Sequence, residues 1–277
     1  MQAPHQLNAL IDLWLHEDIG LGDLTAELMI EPGARTQFVM RAREALVLAG
    51  AGIAAQVFQR LDASISITAL SEDGTHLQRN DAIMQVAGPA RSLLTAERTA
   101  LNIVQHLSGI ATLTARYVDA IKGTGARLLD TRKTTPGLRA LEKYAVRCGG
   151  GANHRLALDG GVLIKDNHLA VAGDIAAAIA RARGGTPLLT KIEVECDTLQ
   201  QVDAALKAKA DVILLDNMSL EDMREAVRRV AGHIPLEASG SVRLETIRAI
   251  AETGVNFIST SRITQSAAAP DIGLDEL

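Results

Sequence analysis

Residues 130–168 read DTRKTTPGLRALEKYAVRCGGGANHRLALDGGVLIKDNH. Extended back to Arg127, the stretch contains a strand-like run (residues 127–131), a helix-like run (138–148) and a second strand-like run (162–165). It opens an alternation of strand and helix, the pattern of a parallel sheet with right-handed crossovers. From Arg127 to His168, eight Lys and Arg against four Asp and Glu leave +4, in a chain whose formal net charge is -5. A solvated basic face is the simplest reading of such a run. Here the basic residues are shared among several elements, so several can point inward. A local cation excess beside the flexible Gly149, Gly150 and Gly151 suits a small, highly charged anion, with His154 and His168 adding donors.

Downstream, further strands are predicted over 188–195, 211–216, 234–239 and 256–260, with helices over 174–183, 199–208, 220–230 and 244–253. Six such units favour an α/β barrel, TIM-barrel-like, whether complete or short of closure. Polar residues fall at each strand end: Thr131, Arg132 and Lys133; Lys165; Glu193 and Glu195; Asp216 and Asn217; Ser239 and Gly240; Ser261 and Arg262. Glu195, Asp216, Ser239 and Ser261 follow one another at spacings of 21, 23 and 22 residues, one βα unit each. Residues at the C-terminal ends of barrel strands converge on one mouth.

That mouth is electrically divided. Arg132, Lys133, His154, Arg155 and Lys165 form one side, and Glu195 and Asp216 the other. Carboxylates facing a cationic wall suit substrates with anionic groups, hydroxyls and a metal-bound polyphosphate; they can accept from ribose hydroxyls or hold Mg²⁺ through water. The last two loops, Ser239-Gly240-Ser241 and Ser261-Arg262, stand where barrels often bind phosphate through backbone N–H groups. Weaker readings are Cys148 as a nucleophile, His154 and His168 with Glu195 as metal ligands, and the glycine triplet as a phosphate loop. An aliphatic-helix cysteine is usually just packed, no short ligand spacing supports the metal, and a turn needs glycine anyway.

Towards the N-terminus, Leu7, Leu10, Ile11, Trp14 and Leu15 recur at helical spacing, and Asp23 is placed to cap a helix. Strand-like runs over 36–49, 64–70 and 81–86, a helix over 50–61 and a turn at Asp73-Gly74 make a small α+β unit. A long helical stretch over 92–120 follows, with Gly109 as an expected kink or break. The division expected is an N-terminal α+β sandwich domain, residues 1–108, and an α/β barrel domain, residues 109–277, the C-terminal tail packing back on the first. With 47% apolar but only 2% aromatic residues the core must be aliphatic. Few aromatics and an acidic balance argue against nucleic-acid binding. Two cysteines make no disulfide framework and fit a reducing compartment. With no membrane-length apolar run and no signal-peptide pattern, a cytoplasmic protein is expected.

The strings DTRKTTPGLRALEKYAVRCGGGANHR and IKDNH resemble the quinolinate phosphoribosyltransferase family, and the resemblance runs from about Leu15 to the C-terminus. It implies two substrates, quinolinate and 5-phosphoribosyl-1-pyrophosphate, with Mg²⁺, and nicotinate mononucleotide, pyrophosphate and CO2 as products. Of the residues matching the family motif, Thr131 would contact substrate, and Arg132, His154, Arg155 and Lys165 would bind the quinolinate carboxylates. Lys133 would serve the same pocket or the pyrophosphate. Glu195 and Asp216 would address the ribose hydroxyls and the Mg²⁺, and Ser239 and Gly240, with Ser261 in the next loop, the 5'-phosphate. Lys133, Lys165, Glu195 and Asp216 are the residues expected to carry the chemistry. Arg98 resembles an arginine lent to a partner's site, which implies a homodimer or higher. The family usually has glycine at position 261, often glycine at 241 and often histidine at 265, where this chain has Ser261, Ser241 and Gln265. Alternatives are a related pyrophosphorylase of molybdenum-transport operons, a barrel lyase using Lys165 as a Schiff-base amine, and a non-catalytic anion-binding homologue.

Overall fold

The computed structural model describes residues 4–277. In chain order it runs α1 (Pro4–Ile19), α2 (Leu24–Met29), β1 (Arg35–Ala42), β2 (Leu46–Val47), α3 (Ala51–Leu61), β3 (Ser66–Ala69), β4 (His76–Leu77), β5 (Ala82–Pro89) and α4 (Ala90–Ala120). Then follow β6 (Arg127–Leu129), α5 (Arg139–Cys148), β7 (Val162–Ile164), α6 (Asp166–Ala172), α7 (Ile175–Gly185), β8 (Ile192–Cys196), α8 (Leu199–Lys207) and β9 (Val212–Asp216). The chain closes with α9 (Leu220–Val230), β10 (Leu236–Ser239), α10 (Ile247–Ala251), β11 (Phe257–Ser259), α11 (Arg262–Gln265) and β12 (Ile272–Glu276). None of the described helices is long and apolar enough to cross a membrane.

The chain forms two compact units. The first takes in residues up to Ala115, Pro136–Gly150 and Ser266–Leu277. Its main sheet is antiparallel in the order β12-β1-β5-β3, with Phe38 opposite Glu276 and Ala42 opposite Ile272. Ile53, Ala54, Val57 and Phe58 give α3 one fully apolar side. Burying Phe58 completely contributes about 2–3 kcal/mol. Asp23 caps α2, its carboxylate accepting from Ala26 N at 3.0 Å.

Three glycines in this unit are set by packing. Gly109 neither kinks nor breaks a helix, since α4 runs unbroken from Ala90 to Ala120; a Cβ there would stand 2.4 Å from the Ala268 carbonyl oxygen. The helix therefore lies against the backbone that leads into β12. A Cβ at Gly149 would be 2.3 Å from the Ala111 carbonyl oxygen, and Gly150 adopts φ +84°, so these two glycines serve close packing and a left-handed turn. β5 runs three residues past its expected end at 86, to Pro89, with Gly88 pressed on Ile65.

The second unit comprises Arg116–Thr135 and Gly151–Gln265. Its six strands pair in parallel in the order β6-β11-β10-β9-β8-β7. Along each strand alternate residues take opposite faces. Ile164, Val194, Ile213, Leu215, Ala238 and Ile258 are buried on one face, while Lys165, Glu195, Asp216, Ser239 and Ser259 line a cavity on the other. Helices begin where the sequence supplies caps. Thr198 and Gln201 form a reciprocal capping box on α8, and Ser219 Oγ accepts from Asp222 N at the start of α9. Of the two forms expected, the incomplete one is found: β6 and β7 stand at opposite edges of the sheet. Among the described residues, β6 is extended only by an isolated parallel bridge from Leu129 to Ala152. The barrel is incomplete on that side. Strand β8 starts later than its apolar run, at Ile192, leaving Leu188 and Leu189 almost fully exposed.

Alanine normally stabilises a helix interior over glycine by about 1 kcal/mol. At position 109 the contact with Ala268 outweighs that preference. Gly109→Ala is expected to lose about 1–3 kcal/mol by overpacking, read as a lower urea midpoint. An unchanged or raised midpoint contradicts the contact.

Candidate active site

The strand ends of the second unit surround a cavity of about 620 Å³. β6 delivers Thr131, Arg132 and Lys133, and the segment before β7 delivers His154 and Arg155. Lys165 follows β7, Glu195 lies in β8, and Asp216 ends β9. Ser239 ends β10 and is followed by Gly240 and Ser241. Ten of the twelve residues expected at the site from sequence therefore line one opening. Arg98 belongs to the other unit, exposed on α4. Ser261 does not line the cavity; its carbonyl accepts from Thr264 N and Gln265 N as α11 begins. Ser259, two residues earlier on β11, occupies the wall.

The two basic clusters meet because of Asp130. Its carboxylate is fully buried and accepts from Asn153 Nδ2 at 2.6 Å and from His154 N at 2.9 Å. Arg155 Nη1 donates to the Gly161 carbonyl at 2.8 Å. Burial first, and then the positive charge of Arg132, pull the Arg155 pKa below its ordinary value. Two guanidiniums crowded at a half-buried wall favour an anion between them. Lys133 is exposed, its backbone fixed by Thr131 Oγ1 at 3.0 Å and by Thr264 Oγ1, which donates to its carbonyl at 2.8 Å.

Opposite, Lys165 Nζ is 2.9 Å from Glu195 Oε2. Asp216 accepts from Asn217 Nδ2 at 3.0 Å. Both carboxylates offer the oxygen ligands that suit a hard ion such as Mg²⁺. His168 does not join them: its Nδ1 accepts from Lys165 N and starts α6. The phosphate-loop candidate is tightly built. Gly240 has φ +90°, and a Cβ there would stand 2.2 Å from Asn217 Oδ1, so only glycine fits. Ser241 also takes a left-handed conformation, φ +51°, which costs an L-residue about 1–2 kcal/mol. Cys148 is half-buried, and burial raises its thiol pKa, which does not suit a nucleophile.

Two family models match, the N-terminal domain of quinolinate phosphoribosyl transferase over residues 23–108 and its C-terminal domain over residues 110–275. The chain belongs to the quinolinate phosphoribosyltransferase family. It is 46% identical over 258 residues to a probable nicotinate-nucleotide pyrophosphorylase (carboxylating) of Synechocystis sp., covering 91% of this chain and 87% of that protein. It is 45% identical to the nicotinate-nucleotide pyrophosphorylase (carboxylating) of Mycobacterium leprae, covering 94% of each. The solved nicotinate-nucleotide pyrophosphorylase of Francisella tularensis superposes with a TM-score of 0.96 at 42% identity, covering 100% of this chain and 98% of that one.

In this member of the quinolinate phosphoribosyltransferase family, the floor of the cavity holds a group that sequence reading did not assemble. His154 Nε2 is 2.9 Å from Glu193 Oε2 and 3.6 Å from Glu237 Oε2. Glu193 and Glu237 are 7% and 2% exposed. Burial first, and then the neighbouring Glu193 charge, push Glu237 up to about 8. The only sequence signal for Glu237 is its place two residues before Ser239, on the same strand face.

Because its folded pKa lies above the ordinary 4.5, Glu237 keeps in the fold a proton that the unfolded chain has lost. Its contribution to stability is complete below about 4.5 and is lost as pH rises through about 8. Urea midpoints should therefore fall across that window, and Glu237→Gln should flatten the fall. An identical slope in the variant contradicts the assignment.

Proposed function

We propose that this chain catalyses phosphoribosyl transfer from 5-phosphoribosyl-1-pyrophosphate to quinolinate with loss of CO2, giving nicotinate mononucleotide and pyrophosphate in NAD biosynthesis. The observation that carries the reading most directly is the crowding of Arg155 by Arg132 at a wall facing Glu195 and Asp216. Such a mouth suits a dianion on one side and a hydroxylated sugar phosphate on the other. Names of relatives above 40% identity over nearly the whole chain point to the same reaction.

In this assignment Arg132, Arg155 and Lys165, with Thr131 and His154 beside them, seat the quinolinate carboxylates. Lys133 serves the departing pyrophosphate. Ser239 and Gly240 hold the 5'-phosphate through backbone N–H groups, Gly240 allowing the close approach. Ser261 acts through the loop it begins. Glu195 and Asp216 take the ribose hydroxyls and would hold Mg²⁺, which would supply charge neutralisation for the pyrophosphate. Departure of pyrophosphate leaves a ribosyl centre with oxocarbenium character, which the pyridine nitrogen attacks. No protein nucleophile is required. The protein holds two mutually repelling polyanions in contact and supplies charge to the leaving group. Decarboxylation then leaves a carbanion beside the pyridinium nitrogen. A Schiff-base role for Lys165 is disfavoured by its ion pair with Glu195, since attack needs a free amine.

Arg98 is assigned to a partner subunit's mouth, making the working form a homodimer or a higher homo-oligomer. Its exposure on α4 is compatible with that role.

The test is a coupled assay for nicotinate mononucleotide with quinolinate as substrate and nicotinate as control. Preference for nicotinate overturns the substrate. Lys133→Ala and Arg155→Ala are expected to lose turnover by roughly 100-fold or more with far-ultraviolet circular dichroism unchanged; near-normal activity in either removes it from the cationic wall. Arg98→Ala should also fail, and mixing it with Lys133→Ala should restore part of the activity after subunit exchange. Verified exchange without rescue contradicts site sharing.

A further inference from the structure

The cluster of His154, Glu193 and Glu237 has the donor set of a metal site, with ligand atoms within 4.8 Å of one another. The imidazole argues otherwise. Arg155 N donates to His154 Nδ1 at 2.8 Å, so Nδ1 carries no hydrogen and the neutral ring holds its proton on Nε2. That N–H points at the two carboxylates, where a cation would need a lone pair. The geometry fits a resident proton instead.

One N–H thus lies between two buried carboxyl groups, and burial favours the neutral form of Glu237. Glu193 takes the shorter bond from His154, while Glu237 stands farther off, is the more deeply buried of the two and is the one that lines the cavity. The residues paired with Glu237 on the adjacent strands are uncharged, Leu214 on β9 and Phe257 on β11. The ionisable groups acting on it are Glu193 from β8 and His154, with the Ser259 hydroxyl also in contact. Its Oε1 is buried without a hydrogen-bond partner, and the residue lines the cavity. A buried acid thus lines a mouth whose charged groups are Arg132, Lys133, Arg155 and Lys165 with the carboxylates Glu195 and Asp216.

We propose that Glu237 is the acid that protonates the pyridine ring after CO2 leaves. This rests on the reaction proposed above. The C–C bond to the carboxylate breaks and leaves its electron pair on the ring carbon beside the pyridinium nitrogen. The Glu237 O–H bond then breaks as the new C–H bond forms, leaving Glu237 as a carboxylate. Water at the mouth returns the proton before the next turnover. No oxidant or reductant is involved, and charge and atoms balance. The ammonium of Lys165, another donor of a proton on the wall, is paired with Glu195.

Rapid-quench kinetics with quinolinate, 5-phosphoribosyl-1-pyrophosphate and Mg²⁺ separate the steps, because pyrophosphate release reports transfer and nicotinate mononucleotide reports protonated product. Glu237→Gln keeps the shape and removes the transferable proton. It should release pyrophosphate at close to the wild-type rate and form nicotinate mononucleotide on the order of 100-fold more slowly, with quinolinate mononucleotide accumulating because the unprotonated carbanion re-adds the CO2 still in the site. Wild-type rates of both steps in the variant, or an equal loss in both, overturn the proposal. The wild-type protein gives a second reading that does not depend on the variant folding: deuterium oxide should slow nicotinate mononucleotide formation and leave pyrophosphate release unchanged. Absence of that selective effect counts against Glu237. Wild-type protein that releases no pyrophosphate removes the proposed reaction, and this inference with it. Pyrophosphate release without the selective effects removes this inference alone.

Discussion

A carboxylate without access to water ties the mouth together. Asp130 receives hydrogen bonds from Asn153 and from His154 N, while its own N–H donates to the Ala152 carbonyl at 3.2 Å and Ala152 N returns a bond to Leu128 O at 2.9 Å. A buried charge is tolerated only when so satisfied, and breaking the set costs several kcal/mol. The effect is to fasten the segment carrying His154 and Arg155 to the end of β6, immediately before Thr131, Arg132 and Lys133. Two basic clusters more than twenty residues apart become neighbours along the side where the sheet fails to close.

That adjacency is unfavourable by itself. Burial, and then the charge of Arg132, depress Arg155, and an anion bound at this wall would relieve that repulsion. Unit charges about 4 Å apart interact by about 4 kcal/mol at an effective dielectric of 20, so an incoming dianion recovers more than the repulsion costs. The carboxylates across the cavity are held by partners of their own. One is paired to Lys165, and another is held by Asn217. The fold therefore arranges electrostatics before substrate arrives, which is the condition for transition-state charge to be stabilised without reorganisation.

Much of this was legible in the sequence, for physical reasons. Strand positions followed from β-branched runs between turn residues, and the near-constant spacing of Glu195, Asp216, Ser239 and Ser261 reflected the length of a βα unit. What escaped were effects of three-dimensional proximity. Gly109 reads locally as a helix breaker, yet it is required by the Ala268 carbonyl. The glycines at 149 and 150 read as a loop but serve packing and a left-handed turn. Glu237 stands in a four-residue strand with no neighbouring charge in sequence, so its pairing with Glu193 needs the register of β8, β9 and β10. The failure of β6 and β7 to pair is likewise a matter of edges, which strand counting does not see.

The central claim is that the opening is shaped for a small dicarboxylate. Calorimetric titration of the protein with quinolinate and, separately, with nicotinate tests it most directly. The two ligands share a pyridine ring and one carboxylate, so their difference isolates the second charge. Quinolinate should bind at least about tenfold more tightly, a difference of roughly 1.4 kcal/mol, and Arg155→Ala should erase the difference. Equal affinity for the two ligands, or an undiminished preference in Arg155→Ala, would contradict the account.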